Sequence, residues 1–389
     1  MNKTQQTYLG IASAVMAMPF AAMAETGTAA PAISAITNRD NPFRLEPTLH
    51  FRAAHGATTL PDHEVEFGGH DPSQDSFNFQ GFEISTNIFL GENVSGFAGV
   101  NIFKNDGEDF ESEFEEGFLK LHNLPGGFAN FEIRAGRMLA RLGDQNARHL
   151  HAWDFVDNNI LNVRYLGEDG FAFDGGEITW LLPTGIKDAL SIGLGSAVAH
   201  EHEEEGDDDD HSEEAEMARP DKNIISVRYQ AEFGSNDFHR FQAGGSFLTG
   251  DNGFGMTTDI YGADFTYTWR ENGLESGGRQ FRWRTEWLMR DVENDEGGFD
   301  DSGLSTALLW QFIENWEAGL RYGYVEGVSD PELAERNRTS LALTRFVDFG
   351  NEITGILRLQ YNHDDIKGHG NENSIWFQFG FDWGPGEVR

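Results

Sequence analysis

No cysteine occurs among the 389 residues, which excludes a disulfide framework and any thiolate metal or redox centre. Beyond the N-terminus no apolar run approaches the roughly 20 residues of a membrane-crossing helix, and mean hydropathy is negative. Basic residues are scarce: 28 Lys and Arg stand against 65 Asp and Glu, for a formal charge of −37. A field of that sign repels nucleic acid and anionic solutes and gathers cations. Gly-x-Ser-x-Gly, phosphate-binding-loop and zinc-protease motifs are also missing. His363-Asp364-Asp365 has the acid and histidine groups used by outer-membrane proteases, but such enzymes use smaller barrels and need a second acidic pair opposite, and three residues without geometry carry little weight. The chain is therefore read as not an enzyme, with no nucleic-acid partner.

What is present begins with an export signal. Lys3 lies in a short polar start, an apolar stretch runs from about Tyr8 to Phe20, and Ala22-Met23-Ala24 forms a small-x-small cleavage site. An N-terminal membrane anchor is the alternative, but the stretch is short for it. Residues 1–24 are expected to be removed, 25–42 to form a periplasmic N-terminal segment, and 43–389 to form the folded domain. Loss of Lys3 takes the charge from −37 to −38.

Gln280 to Arg290 alternates in a way that suits a wall between lipid and water. Phe281, Trp283, Trp287 and Met289 share one parity, and Arg282, Arg284, Glu286 and Arg290 the other. The dyad recurs along the chain. Ile375, Phe377, Phe379 and Phe381 should face lipid, as should Leu357, Leu359 and Tyr361; Ser374, Gln378, Asp382, Arg358, Gln360 and Asn362 should face inward. Tyr261, Trp269, Trp316, Tyr324, Trp376 and Trp383 would form interface girdles, although Trp376 falls on the inward parity. A soluble β-sandwich would bury both faces, whereas here the second face carries Arg and Glu.

Sixteen strands are predicted, near 45–54, 80–90, 94–104, 114–123, 128–137, 171–182, 190–199, 224–233, 239–248, 259–269, 280–290, 304–313, 316–325, 338–347, 353–362 and 374–383; counts of 14 or 18 are the alternatives. The connections alternate short and long, from turns such as Gly91-Glu92-Asn93 to loops such as 200–223. Short periplasmic turns and long extracellular loops mark an all-β, antiparallel transmembrane barrel in the outer membrane of a Gram-negative cell, surrounded by lipid.

A barrel of this size leaves an aqueous lumen. Its lining is expected to include Glu83, Glu132, Arg134, Arg228, Asp264, Arg282, Arg284, Glu286, Glu317, Arg321 and Arg358. The third long loop, 138–170, is the longest and sits where general porins fold a loop inward to narrow the pore. Leu142, Leu150, Trp153, Phe155, Val156, Ile160, Leu161 and Tyr165 make it too apolar for a free loop. Arg134, Arg141, Arg148 and Arg164 either face an acidic wall across the lumen or anchor the loop.

Several stretches resemble a family of Gram-negative porin-like proteins often labelled zinc-regulated TonB-dependent outer-membrane receptors. They are Glu115-Glu116-Gly117-Phe118-Leu119-Lys120 with Leu124-Pro125-Gly126-Gly127, Ala135-Gly136-Arg137, Asp259-Ile260-Tyr261-Gly262-Ala263-Asp264 and Leu357-Arg358-Leu359-Gln360-Tyr361-Asn362. The most specific is His149-Leu150-His151-Ala152-Trp153-Asp154-Phe155-Val156-Asp157. The resemblance spans about residues 80–383 and implies a barrel connected with zinc or divalent-metal supply. A true TonB-dependent receptor needs a plug domain and about 22 strands. Only 25 to about 43 precede the first strand, so a plug-less pore is expected.

Ten of the thirteen histidines fall in predicted extracellular loops, and the predicted periplasmic turns hold none. The fourth loop concentrates His200, His202, Glu203, Asp208, Asp210 and His211 among further carboxylates, a composition that either recruits divalent cations or makes a solvated acidic tract. His149 and His151 form a separate pair at i, i+2, with Asp154 and Asp157 close in sequence. They either bind metal at the constriction or hydrogen-bond the loop to the wall. No cofactor is required by this reading; zinc or other divalent cations would bind weakly.

The chain thus reads as a cation-preferring porin for small hydrophilic solutes, aiding zinc or other divalent-metal entry, with a homo-trimer as its expected assembly. The alternative is a non-conducting surface metal receptor, or a sheath for a partner protein.

Overall fold

The computed structural model describes residues 42–60, 67–104, 110–197, 217–328, 333–350 and 352–387. The signal, the N-terminal segment and the His200-to-His211 cluster lie outside them. Sixteen antiparallel strands close into one barrel. The first six are Phe43–Thr58 (β1), Ser76–Leu90 (β2), Val94–Phe103 (β3), Glu111–Leu121 (β4), Phe131–Leu139 (β5) and Ala172–Leu181 (β6). Then come Lys187–Ala197 (β7), Pro220–Phe233 (β8), His239–Asn252 (β9), Thr257–Arg270 (β10) and Gln280–Val292 (β11). Phe299–Ile313 (β12), Trp316–Val325 (β13), Arg336–Gly350 (β14), Ile353–Ile366 (β15) and Gly370–Trp383 (β16) complete the wall. Each strand pairs with its sequence neighbours, and β1 closes on β16 in the register Leu49↔Trp383 to Thr58↔Ser374. No free edge remains, as lipid demands of a sheet.

The side-chain period of two decides which face meets lipid. On β16, Ile375, Phe377, Phe379 and Phe381 are 38–51% exposed, whereas Ser374, Trp376 and Gln378 are at most 3% exposed. Aromatic pairs outside the barrel at the short-turn end, Phe131 on Trp180 and Trp269 on Trp310, match an interface girdle. Trp376 departs from that expectation: it points inward and packs with Ala54 and Val156.

Strand pairing outruns the apolar pattern at the long-loop end. The loop expected over 249–258 shrinks to 253–256, because β9 continues to Asn252 and β10 begins at Thr257. The loop expected over 363–373 likewise shrinks to 367–369. Backbone bonds do not require apolar side chains, so strands extend beyond lipid with polar residues on both faces. His55 and His363 thereby lie on strands. His122 falls in the short turn after β4, contrary to the expectation that such turns lack histidine; its imidazole is held below the ordinary value by burial and by Lys120.

The third connection enters the barrel from the long-loop end. It contains one helix, Ile160–Leu166 (α1), whose seven residues are all buried. Asn159 caps it, its side chain accepting from the Asn162 amide at 2.7 Å. Leu161 and Tyr165 join Leu248, Ile260, Leu288 and Val325 from the inner wall in a shared apolar cluster. This core explains an otherwise odd feature of β11, the apolar Leu288 on its charged parity.

Candidate functional site: the charged barrel interior

The inward segment has a closed neck. Ala140 donates to the Phe171 carbonyl at 2.8 Å, and Asn146 donates to both the Ala140 and Phe171 carbonyls while accepting from the Phe171 amide at 2.7 Å. One amide side chain therefore fixes both ends of a 32-residue excursion, residues 140–171.

Arginines of the far wall hold the body of the segment. Arg358 donates to the Phe155 carbonyl at 2.8 Å and the Trp153 carbonyl at 3.0 Å. Arg321 donates to the Asp157 carbonyl and carboxylate, and Arg338 to the other carboxylate oxygen at 2.8 Å. Gln360 and Asn362 donate to the same carboxylate at 2.7 and 2.9 Å. Burial works against ionising Asp157, but Arg321 and Arg338 hold its carboxyl below the ordinary range. Asp154 binds a second group, Arg148, Arg282 and Arg284. Arg164 donates to the carbonyls of Glu326, Leu333 and Ala334. Phe155 packs on Leu309 and Ala342, with the Arg321 guanidinium 4.5 Å from its ring centre.

All eleven side chains expected to line the lumen lie on inward positions. Most are paired: Arg228 with Asp264 at 2.7 and 3.0 Å, Arg282 with Glu317 at 2.8 Å, and Arg134 with Glu177 at 3.1 Å. Glu286 accepts from the Asp144 amide at 3.2 Å, and Glu132 alternates with buried Arg134 on β5. Two glycines permit these approaches. A Cβ on Gly143, whose φ is +67°, would lie 1.3 Å from a Glu286 carboxylate oxygen, and one on Gly244 would lie within 2.6 Å of both Arg228 and Asp264. Ten of the eleven are almost wholly buried or salt-bridged, so the interior is a densely paired network rather than free charge.

The loop arginines act as anchors. Arg141 meets Glu177 at 2.9 Å, and Arg148 meets Asp144 at 2.5 Å. No described contact sets them across an open lumen against unpaired acid. Asp154 and Asp157 do not join His149 and His151, because arginines and amides claim both. The histidines meet carboxylates of β2 and β4 instead. His149 Nδ1 lies 2.9 Å from Glu83 and its Nε2 3.2 Å from Glu116; His151 Nδ1 lies 2.7 Å from the other Glu83 oxygen.

Three further members of this cluster were not legible in the sequence. His50 on β1 stacks on His151 with ring centres 3.7 Å apart, Asp382 on β16 accepts from His50 Nδ1 at 2.8 Å, and Glu387 follows the last strand. The chain after β16 turns back inside: Asn87 donates to the Gly386 carbonyl at 2.8 Å, and Glu387 is 4% exposed. The inward parity of Thr48, His50 and Arg52 was the available signal for His50; nothing in the order of residues foretells Glu387. Near the long-loop end, His70 Nε2 lies 3.6 Å from Asp169 and 3.8 Å from Glu115. His363 and Asp364 project to opposite faces of β15, and Asp364 is buried against Arg336 and Arg338.

No family model matches the chain. An uncharacterized protein of Aquifex aeolicus (strain VF5) is 23% identical over 246 residues, covering 57% of this chain and 49% of that protein, so the chain spans about half the length of the curated relative it matches. Solved structures align over nearly all of the barrel. Pseudomonas putida OprB gives a TM-score of 0.56 at 9% identity, covering 89% of this chain and 95% of that one. The outer-membrane channel DcaP of Acinetobacter baumannii gives 0.55 at 9%, covering 88% and 96%. An anion-selective porin from Comamonas acidovorans gives 0.53 at 12%, covering 88% and 99%. At such identities the likeness is one of fold: this is an outer-membrane barrel with the porin architecture.

Proposed function

We propose that the barrel is a plug-less porin passing small hydrophilic solutes by passive diffusion, with a preference for cations and a part in zinc or other divalent-metal entry. The observation that carries the reading is the segment 140–171, which crosses the interior and is held there by Arg321, Arg338 and Arg358. A large barrel with a polar inner face contains water, and a segment fixed inside it sets the bore. Arg282, Arg284, Asp144, Arg148, Arg240 and Arg270 border space that this segment does not fill.

In this reading the cation preference comes from the acidic excess of the chain as a whole rather than from the bore, a view supported by the pairing of the interior charges. The label of a TonB-dependent zinc receptor draws no support from the reported neighbours, which are described as porins and channels. A homo-trimer is the proposed assembly; Vibrio cholerae OmpT, similar at a TM-score of 0.50 and 14% identity, is described in a trimer form.

One observation favours the non-conducting alternative. Wall residues such as Glu83, Arg321, Arg358 and Gln360 are at most 5% exposed, so much of the interior is filled. Planar-bilayer recording separates the two. Discrete conductance steps are expected, and a folded barrel that stays silent would overturn the porin reading.

A further inference from the structure

Between the inward segment and the wall, towards the short-turn end, five arginines border one cavity of about 340 Å³. Arg240, Arg270, Arg282 and Arg284 come from the wall and Arg148 from the segment, and Asp144 is the one carboxylate in the lining. Strand register builds this concentration of charge. Thr268 on β10 pairs with Arg240 of β9 on one side and Arg282 of β11 on the other, and Arg270 lies two positions further along the same inward face.

Four of the five arginines have counter-charges. Arg240 meets Glu232 at 2.6 Å, Arg282 meets Glu317 at 2.8 Å and Asp154 at 3.2 Å, Arg284 meets Asp154, and Arg148 meets Asp144 at 2.5 Å. Arg270 has none among the described residues. Its side chain is partly buried, its Nε is wholly buried without a hydrogen-bond partner, and the charges acting on it, those of Arg240 and Arg282, are both positive. A cation among cations, partly withdrawn from water, lacks the charge that would offset its desolvation.

An oxyanion in the cavity supplies that charge, because a guanidinium fork bonds carboxylate or phosphate through two parallel N–H groups. The rest of the lining is neutral and polar. Gln242, Thr266, Thr268 and Gln280 present amide and hydroxyl groups, which suit the hydroxyls of a solute larger than an inorganic ion. We propose that this cavity is a subsite for a small organic anion, its carboxylate or phosphate head held by Arg270 with Arg240 and Arg282 beside it. The subsite goes beyond the cation preference above, which concerns small ions drawn by the charge of the whole chain. It rests on the pore reading only for its part in transport.

The test is calorimetry of the full-length barrel in detergent, with succinate and glucose 6-phosphate as probes and glucose as the uncharged control. Folding is checked by the mobility of unheated samples on gels. Wild type is expected to bind at least one of the two anions, and the tighter one assigns the head group. Arg270→Gln breaks no ion pair, so the barrel should stay intact while affinity falls by about 10- to 100-fold. Arg279→Gln, in the short turn after β10 and outside the cavity, should leave affinity unchanged. Absence of anion binding in wild type, glucose binding as tightly as the anions, undiminished affinity in Arg270→Gln, or an equal loss in Arg279→Gln would overturn the subsite. Planar-bilayer recording keeps the two readings apart, because calorimetry needs no current. A barrel that conducts but binds neither anion loses only the subsite, and one that binds but never conducts loses only the pore.

Discussion

Arg321, on the wall strand β13, grips Asp157, on the segment inside the barrel, through both the backbone carbonyl and the carboxylate, at 3.0 and 2.5 Å. Arg338 holds the second oxygen of the same carboxylate. Neutralising Asp157 would leave two buried guanidinium groups without their shared counter-charge. Asp157→Asn should therefore cost about 3–5 kcal/mol of local stability. Denaturant unfolding should show the loss, and single channels should become noisier as the segment works free.

Asp71 gives a pH dependence of defined sign. Its carboxylate accepts from the Asn158 amide at 2.6 Å and the Gly68 amide at 3.0 Å, joining the first loop to the inward segment. Burial and the neighbouring Asp157 carboxylate push its pKa up from 3.8 to about 7. The folded chain binds this proton more tightly than the unfolded chain, so the stabilisation is full below about pH 4 and is lost as pH rises through about 7. Asp157, held low, acts in the opposite sense and loses its contribution only in acid. Hydrogen exchange at the Asn158 amide should accelerate between pH 6 and 8, and Asp71→Asn should flatten that step. An unchanged profile in the variant would assign the step to another group.

Trp153 and Phe155 are the large apolar anchors of the segment, both at most 7% exposed. Replacing Phe155 with Ala should cost about 3–5 kcal/mol and also remove the ring beneath Arg321. Conductance of the double Ala variant should rise or fluctuate while the barrel still assembles. Wild-type currents from that variant would place the rate-limiting aperture elsewhere.

Ion preference should reside in the loops. Reversal potentials in a salt gradient should favour cations, and the preference should fade as the Debye length falls from about 10 Å at 0.1 M to about 3 Å at 1 M. Deleting residues 201–216, between β7 and β8, should weaken both cation preference and low-affinity zinc uptake without preventing folding. Equal zinc uptake by the shortened barrel in calorimetry would show that tract to be a solvated acidic loop only.

The wall was legible because lipid imposes a rule that each strand obeys alone: Phe377 and Phe379 out, Gln378 in. The inward course of 140–171 was also legible, since Val156, Leu161 and Tyr165 need an apolar neighbour. Strand ends were less so, because pairing of residues such as Thr249 with Asp259 continues where hydropathy gives no signal. The partners of Asp157 and His151 were not readable at all. Asp157 lies close to His151 in the chain, yet it is claimed by Arg338, 181 positions away, and His151 meets Glu387 from the far end. Such contacts follow from barrel closure, which brings together positions that no local pattern relates.

The anchors of the inward segment carry a consequence for assembly. Asn146 can close the neck as soon as β5 and β6 pair, but Arg321, Arg338, Arg358 and Gln360 belong to strands that follow it by more than 150 residues. Contacts of such sequence separation form late and slowly. Through most of insertion the segment is thus held at its neck and by the carboxylates of β2 and β4, with Asp157 and the Trp153 and Phe155 carbonyls unmatched, and it seats fully only when β13 to β16 arrive. Seating and closure of β1 on β16 become one event, so the bore acquires its final shape at the moment the wall becomes watertight.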